Sequence, residues 1–436
     1  GPQPRRGRAP RGTGRGGPMP SPSPRSPGAS PSRGPGPAAG SPAQQRPRSP
    51  QGGGGSVRVA ARFRPPVTEE ERRDEPAFRV LPGGRLVEAC DGSHRFELDQ
   101  AFCEAATQEA VYDYVGRPIV DGVLSGYNGT VFAYGRTGSG KTHSMIGPGP
   151  GASLGQPEAQ GIVPRAAQQL FDQIAAGTDD STEFTLRCSF LEVYREQMRD
   201  LLSPANRELR VKELPQRGLF VDGLSREYVT CGSEVLGFLQ AGTRARSVAR
   251  TRRNQHSSRS HAIFVLHVEQ RSPEGAERLG KLTLVDLAGS EKVPKGECAG
   301  ETFEEAKKIN WSLSALGKVI DALAEQRPHV PYRDSRLTRV LEEALGGNCR
   351  TALLVAASAC AAHFDETLSS LRFATRAKKV QNHARVNYMY SSDQLLLLVA
   401  QLQRELARSR RHAAGLGSPG CSASAPGRDA SRRRPR

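Results

Sequence analysis

The residues Gly135-Arg136-Thr137-Gly138-Ser139-Gly140-Lys141-Thr142 have the spacing G-x-x-x-x-G-K-[ST] of a loop that wraps phosphate. Glycines let backbone N–H groups face anionic oxygens, and a helix starting just after adds positive potential. Lys141 is placed to reach the outer phosphates, and the Thr142 hydroxyl is placed to take Mg²⁺. A flexible glycine loop could match this pattern without function. Here the loop follows a short apolar run, Val131-Phe132-Ala133-Tyr134, and precedes a helix-like stretch, which is the context the chemistry needs.

Such a loop requires a second element that senses the outermost phosphate. Asp286-Leu287-Ala288-Gly289 ends the strand-like run Lys281–Asp286. Asp286 would hold a Mg²⁺-bound water, and the Gly289 N–H would meet the γ-phosphate. Alone, D-x-x-G is more often a cap or turn; downstream of a phosphate loop, the sensor reading is the stronger one. A third element, Asn254-Gln255-His256-Ser257-Ser258-Arg259-Ser260-His261, gathers hydroxyls and an arginine in a polar loop before an apolar strand.

The elements that must position these groups alternate. Val57–Phe63, Val131–Tyr134 and Lys281–Asp286 read as strands. Helices are expected after Gly140, from about Glu304 to Leu323, and from Thr367 to Lys379. The expected fold is α/β, a P-loop NTPase with a central, mostly parallel sheet and helices on both faces.

Composition sets the boundaries. Residues 1–55 hold nine arginines and no acid, and 408–436 hold eight arginines and one aspartate. Of the net charge of +17 the ends therefore carry 16, leaving the middle at +1. Both ends read as disordered basic segments that bury too little to offset chain entropy. A nucleic-acid-binding fold is thus not implied by the basicity. No apolar stretch approaches the roughly 18 residues of a membrane span, so a soluble chain without membrane insertion is expected. The eight cysteines form no C-x-x-C pair, which argues against zinc and disulfides and suits a reducing cytosol.

The three elements, in this order, resemble the P-loop, switch I and switch II of kinesin motor domains. The wording is close in GYNGTVFAYGRTGSGKTHSM (126–145), NQHSSRSH (254–261), VDLAGSEK (285–292), INWSLSALGKVI (309–320) and VPYRDSRLTRVLEEALGGN (330–348). The likeness is greatest to the conventional heavy chain, with its motor at the N-terminus. It implies a motor domain over 56–379, a neck linker over 380–390 and a short helical neck over 391–407. It also implies ATP as substrate, with Arg62, Pro65 and His143 on the adenine side. Ser258 would join Thr142 and Asp286 (via water) at Mg²⁺, while Asn254 and Ser257 place the attacking water. Arg259 and Glu291 resemble the salt bridge that closes over the γ-phosphate. Lys292, Lys295, Lys307, Lys308, Arg333 and Arg336 would face the acidic surface of tubulin. Asn387 matches an asparagine that latches the docked linker. The resemblance implies the cytoplasm and the microtubule cytoskeleton.

Three departures stand out. Gly52 to Gly55 replace a strand that zips onto the linker, and glycine is a poor strand former. Trp311 stands where a lysine or another polar residue is common. The heptad-like Leu395, Val399, Leu402 and Leu406 span barely two heptads, so a homodimer would need sequence beyond this chain. The expected function is a microtubule motor hydrolysing ATP and directed toward the plus end. The alternatives are a non-motile nucleotide-gated microtubule-binding protein or end regulator, and a GTPase or nucleic-acid ATPase. No N-K-x-D guanine-reading segment supports the last. Cargo is not legible.

Overall fold

The computed structural model describes residues 55–148, 156–177, 182–206, 208–214, 218–248, 259–273, 277–291, 301–389 and 392–415, with the side chains of 248, 301–309, 392–394, 397, 398, 401 and 411–415 outside that description. The strands run, in chain order, β1 (Arg58–Arg64), β2 (Phe78–Val80), β3 (Leu86–Ala89), β4 (Arg95–Glu97), β5 (Gln100–Phe102), β6 (Asn128–Tyr134), β7 (Glu183–Tyr194) and β8 (Gln197–Asp200). They continue as β9 (Arg210–Leu214), β10 (Gly218–Asp222), β11 (Glu227–Tyr228), β12 (His261–Arg271), β13 (Glu277–Asp286), β14 (Arg350–Ser358) and β15 (Tyr388–Met389). The helices are α1 (Glu69–Arg73), α2 (Gln108–Val115), α3 (Arg117–Leu124), α4 (Lys141–Met145) and α5 (Ile162–Gly177). After them come α6 (Gly232–Val248), α7 (Glu301–Ala324), α8 (Arg336–Val340), α9 (Phe364–Ala377) and α10 (Ser392–Gly415).

The main sheet has the order β11-β7-β12-β13-β6-β14-β1-β5. From β13 to β5 neighbouring strands are parallel, and from β13 to β11 they are antiparallel. Its central strands are buried on both faces, which is why they read as continuous apolar runs. Alternation still assigns the faces. Phe132 and Tyr134 of β6 join a core with Leu316, Ile320 and Phe373 of α7 and α9. Val131 and Ala133 join the opposite core with Val111, Val120 and Leu170 of α2, α3 and α5. Helices therefore cover both faces, as expected.

The segment after α9 lies along the sheet. Val57 N donates to Val380 O at 2.9 Å, Ser56 bridges Gln381 in antiparallel register, and Asn382 N donates to Gly55 O at 3.1 Å. Further on, β15 pairs with the start of β13, Tyr388 opposite Arg278 and Met389 opposite Glu277. Gly55 thus joins an extended pairing despite its low strand propensity, because the main chain alone makes that bond; Gly52 to Gly54 lie outside the described residues, as does the rest of the N-terminal arm.

The helix after Gly140 is only five residues long, so its end contributes little more than one turn of peptide dipoles. The last helix runs to Gly415, past Arg408, where the neck was expected to stop and a disordered tail to begin. Alanine and arginine are good helix formers, and the arginine run 408–411 does not interrupt the backbone. Leu395, Val399, Leu402 and Leu406 are exposed along it.

Candidate functional site

The site lies at the carboxyl ends of the parallel strands, where open α/β sheets place their ligands. β6 delivers the phosphate loop. Gly135 follows Tyr134 with φ of 147°, and a Cβ there would collide with the Ala356 carbonyl of β14. Only glycine lets the chain leave the sheet so close to its neighbour. The Lys141 ammonium turns back into the loop and donates to the carbonyls of Gly135 (2.8 Å) and Arg136 (2.7 Å). Burial pulls its pKa below the ordinary lysine value, with the carboxylates of Asp286 and Glu291 opposing that shift. Ser139 is buried and donates its hydroxyl to Arg136 O at 2.9 Å, and Gly138 has open space beside it.

Asp286 ends β13 beside this loop. Its Oδ2 accepts from the Thr142 hydroxyl at 2.7 Å and from Arg246 Nη1 at 3.3 Å. Its Oδ1 is buried and has no hydrogen-bond partner among the described residues. Arg246 of α6 is itself buried, donates to the Ser260 hydroxyl and carbonyl at 3.1 and 2.8 Å, and pairs with buried Glu192 of β7 at 3.7 Å. Asp286 and Thr142 are therefore brought together as the motifs implied.

Glu291 arrives from the loop after β13. The Thr137 N–H donates to its Oε2 at 2.8 Å, and the Thr137 hydroxyl donates to its Oε1. Gly289 lies under this contact, where a Cβ would meet both the carboxylate and the Thr137 hydroxyl. Among the described residues no ion pair joins Glu291 to Arg259. Asn254, Ser257, Ser258, Lys292 and Lys295 lie outside the described residues.

Around the far side of the loop, Arg62 of β1 donates to Gln108 Oε1 (2.7 Å), to the Ser144 hydroxyl (2.9 Å) and to Ala106 O (3.4 Å). Gln108 Nε2 donates in turn to His143 O at 2.8 Å. Burial, then the Arg62 charge, lowers the His143 pKa. Pro65 is exposed just beyond β1. Arg333 and Arg336 are exposed around the start of α8, and Lys307 and Lys308 fall on α7 with their side chains outside the description.

The sequence pattern of the Kinesin motor domain matches residues 62–380. The chain belongs to the kinesin motor family. It is 44% identical over 367 residues to the kinesin heavy chain of Neurospora crassa, covering 83% of this chain and 39% of that one. Human kinesin-1 heavy chain is 42% identical over 340 residues, covering 78% of this chain and 34% of the human one. The chain thus spans about two fifths of the length of these relatives. A solved fast kinesin, described for its ATPase mechanism and interactions with microtubules, superposes with a TM-score of 0.72 at 45% identity, covering 77% of this chain and 95% of that one.

Two residues of this kinesin domain escaped the sequence reading. Arg246 sits in the arginine-rich stretch TRARSVARTRRN, where spacing does not mark which arginine turns inward. Asn382, in the linker, is buried: its amide N–H groups lie within reach of Ala344 O (3.0 Å), Cys349 O (2.9 Å) and Thr351 Oγ1 (2.9 Å), and its oxygen accepts from Gly346 N at 2.7 Å. Asn387 makes the corresponding fixture further along. Its Nδ2 reaches Gly126 O, Asn128 Oδ1 and Leu279 O at 3.1, 3.0 and 3.0 Å, and its Oδ1 accepts from Asn348 at 2.8 Å.

Proposed function

We propose that this chain is a microtubule-based motor that couples hydrolysis of ATP to ADP and phosphate with movement toward the plus end. One observation carries the reading. The strand that ends in Asp286 at the phosphate loop begins at Glu277 and Arg278, where the linker residues Met389 and Tyr388 pair with it. Chemistry and mechanical output share one strand, which a protein that used nucleotide only to gate attachment would not require.

In this reading Lys141 and the loop from Gly135 to Gly140 hold the phosphates, and Arg62, Pro65 and His143 border the adenine. Thr142, Ser258 and, through water, Asp286 would hold Mg²⁺. The buried, unpartnered Asp286 Oδ1 beside the Thr142 hydroxyl supports that fit. Mg²⁺ would neutralise charge developing between the β- and γ-phosphates. Asn254 and Ser257 position the attacking water, the Gly289 N–H faces the γ-phosphate, and Glu291 leaves Thr137 to meet Arg259. Phosphoryl transfer depends mostly on positioning and electrostatics, so hydrolysis waits for that closure. Lys292, Lys295, Lys307, Lys308, Arg333 and Arg336 form the tubulin face, and the exposed apolar stripe Leu395, Val399, Leu402 and Leu406 of α10 supports a homodimer.

A second reading, a non-motile nucleotide-gated microtubule-binding protein or end regulator, is favoured by the glycines at 52–55, poor strand formers where the linker pairs ahead of β1. Microtubule-stimulated ATP turnover followed by gliding of polarity-marked filaments decides. Stimulated turnover with directed gliding supports the motor; stimulated turnover without gliding supports the second reading.

A further inference from the structure

We infer that His261 is a positioning residue that couples the phosphate-sensing segment 286–289 to helix α7 through Ser312. The inference deepens the proposed function and rests on its assignment of that segment. His261 opens β12 and is buried, as are Ala288 and Ser312. The Ala288 backbone N–H donates to His261 Nδ1 at 3.0 Å, and His261 Nε2 lies 2.8 Å from the Ser312 hydroxyl. A backbone amide can only donate, so Nδ1 carries no proton. In a neutral ring the proton is then on Nε2, which donates to Ser312.

The relay is short and stiff. Ala288 precedes Gly289, which is packed under the Thr137–Glu291 contact, and follows Asp286 by two residues. Any shift of this segment must carry the imidazole with it or break a buried hydrogen bond. The plane of the ring passes that shift to the middle of α7, whose N-terminal half bears Lys307 and Lys308. A second support comes from the same loop: Ser260, adjacent to His261, is tied through Arg246 to Asp286. Both residues ending the SSRSH motif are thus fastened to the phosphate-sensing segment, and His261 alone continues to α7.

Trp311, the chain's one tryptophan, neighbours Ser312 and supplies a reporter. It is 45% exposed, donates its indole N–H to Asp334 O at 2.9 Å and lies under the Lys318 ammonium at 4.9 Å. The test adds Mg·ADP, then a non-hydrolysable ATP analogue, to the full chain without microtubules, and reads tryptophan emission beside equilibrium nucleotide binding. Wild type should change its emission between the two nucleotides. Ser312→Ala should bind both nucleotides normally and lose roughly threefold or more of that response, the scale expected for a coupling contact remote from the ligand. Ser312→Thr, which keeps the hydroxyl, should restore it. His261→Asn keeps an acceptor for Ala288 but is too short for Ser312; it should match Ser312→Ala, and the double variant should be no worse. With microtubules, Ser312→Ala should retain basal turnover and lose stimulated kcat, while the half-saturating microtubule concentration stays nearly unchanged. If Ser312→Ala does not fold, Ser312→Cys, similar in size with a weak acceptor, takes the same measurements. A wild-type emission response in Ser312→Ala or His261→Asn, or no response in wild type itself, overturns the inference. So does a Ser312→Ala loss that Thr fails to restore, or equal loss of basal and stimulated rates, which marks a merely structural histidine. The emission arm needs no motor activity, so failure of the motor reading remains distinguishable.

Discussion

Thr137 holds both carboxylate oxygens of Glu291, one with its backbone N–H at 2.8 Å and the other with its hydroxyl. The carboxylate that family resemblance pairs with Arg259 therefore has a partner on the phosphate-loop side. In the proposed mechanism, closing over the γ-phosphate is an exchange of partners, with the cost of leaving Thr137 part of the barrier.

Glu291→Ala should still bind Mg·ATP and attach to microtubules, because Lys141, Thr142 and the basic face are untouched. Hydrolysis should fall on the order of a hundredfold or more through lost positioning and electrostatics. Arg259→Ala should behave alike, and the double variant should be hardly worse than either, since groups acting as one unit are not additive. Lys141→Ala should instead damage nucleotide binding. Single-turnover hydrolysis on microtubules is the measurement, and defects that multiply in the double variant would refute a shared gate.

Thr137→Val removes the hydroxyl hold while keeping the backbone N–H. A hydrogen bond to a charged group contributes about 1.5–3 kcal/mol, so the hydrolysis step should quicken by about tenfold or more. Rapid-quench measurement of that step gives the answer; an unchanged or slower rate means the Thr137 hydroxyl does not restrain Glu291.

Asn387→Ala should weaken linker docking by about 1–3 kcal/mol, because its two amide N–H groups lie within reach of three carbonyl-type oxygens and its own oxygen accepts from Asn348. Gly55→Val should act in the opposite direction, adding strand preference to the pairing with Asn382. Fluorescence energy transfer between a dye beyond Tyr388 and one on the core would report the docked fraction. The two changes should move it in opposite senses while ATP turnover stays near wild type.

Stability should depend on pH through Glu71. Hydrogen bonds from Arg64 at 2.7 and 2.6 Å hold the Glu71 carboxyl at about 2, well below its ordinary 4.5. A depressed carboxyl pKa stabilises the fold fully above the ordinary value and loses that contribution as pH falls from about 4.5 towards 2. Glu71→Gln should therefore lower the Tm at neutral pH and lose most of that difference near pH 2. Thermal melts of both chains across this range check it, and a constant Tm difference would contradict the assignment.

The phosphate loop and Asp286 were legible because their chemistry is local: glycines, one lysine and a hydroxyl at fixed spacing after a strand. Three strands of the parallel half, β1, β6 and β13, were legible too from their apolar patterning, whereas β14 and β5 were not picked out. The partner of Glu291 was not. Thr137 lies 154 positions away in sequence, and which of two walls a carboxylate touches depends on loop placement that no periodicity records. Arg246 was hidden among neighbouring arginines for the same reason, as was the inward turn of Asn382 within a segment that looks like a polar tether. The overrun of α10 past Arg408 has another cause: net charge argues against burial, but an exposed helix needs only propensity.

β13 has a paired neighbour on both sides along most of its length. Glu277 and Arg278 meet β12 and β15, Lys281 to Asp286 meet β12 and β6, and Leu279 N donates to Asn387 O between them at 3.0 Å. Its ten residues span about 30 Å at the usual strand rise. A rod so clamped transmits displacement but does not store or enlarge it. Speed and grip therefore have separate dials only at its tips: substitutions near Asp286 can retune the catalytic clock, and those near Glu277 can retune the seat of the linker. Changes in the middle, such as a bulkier residue at Gly280, where a Cβ would strike Val123, should detune both together.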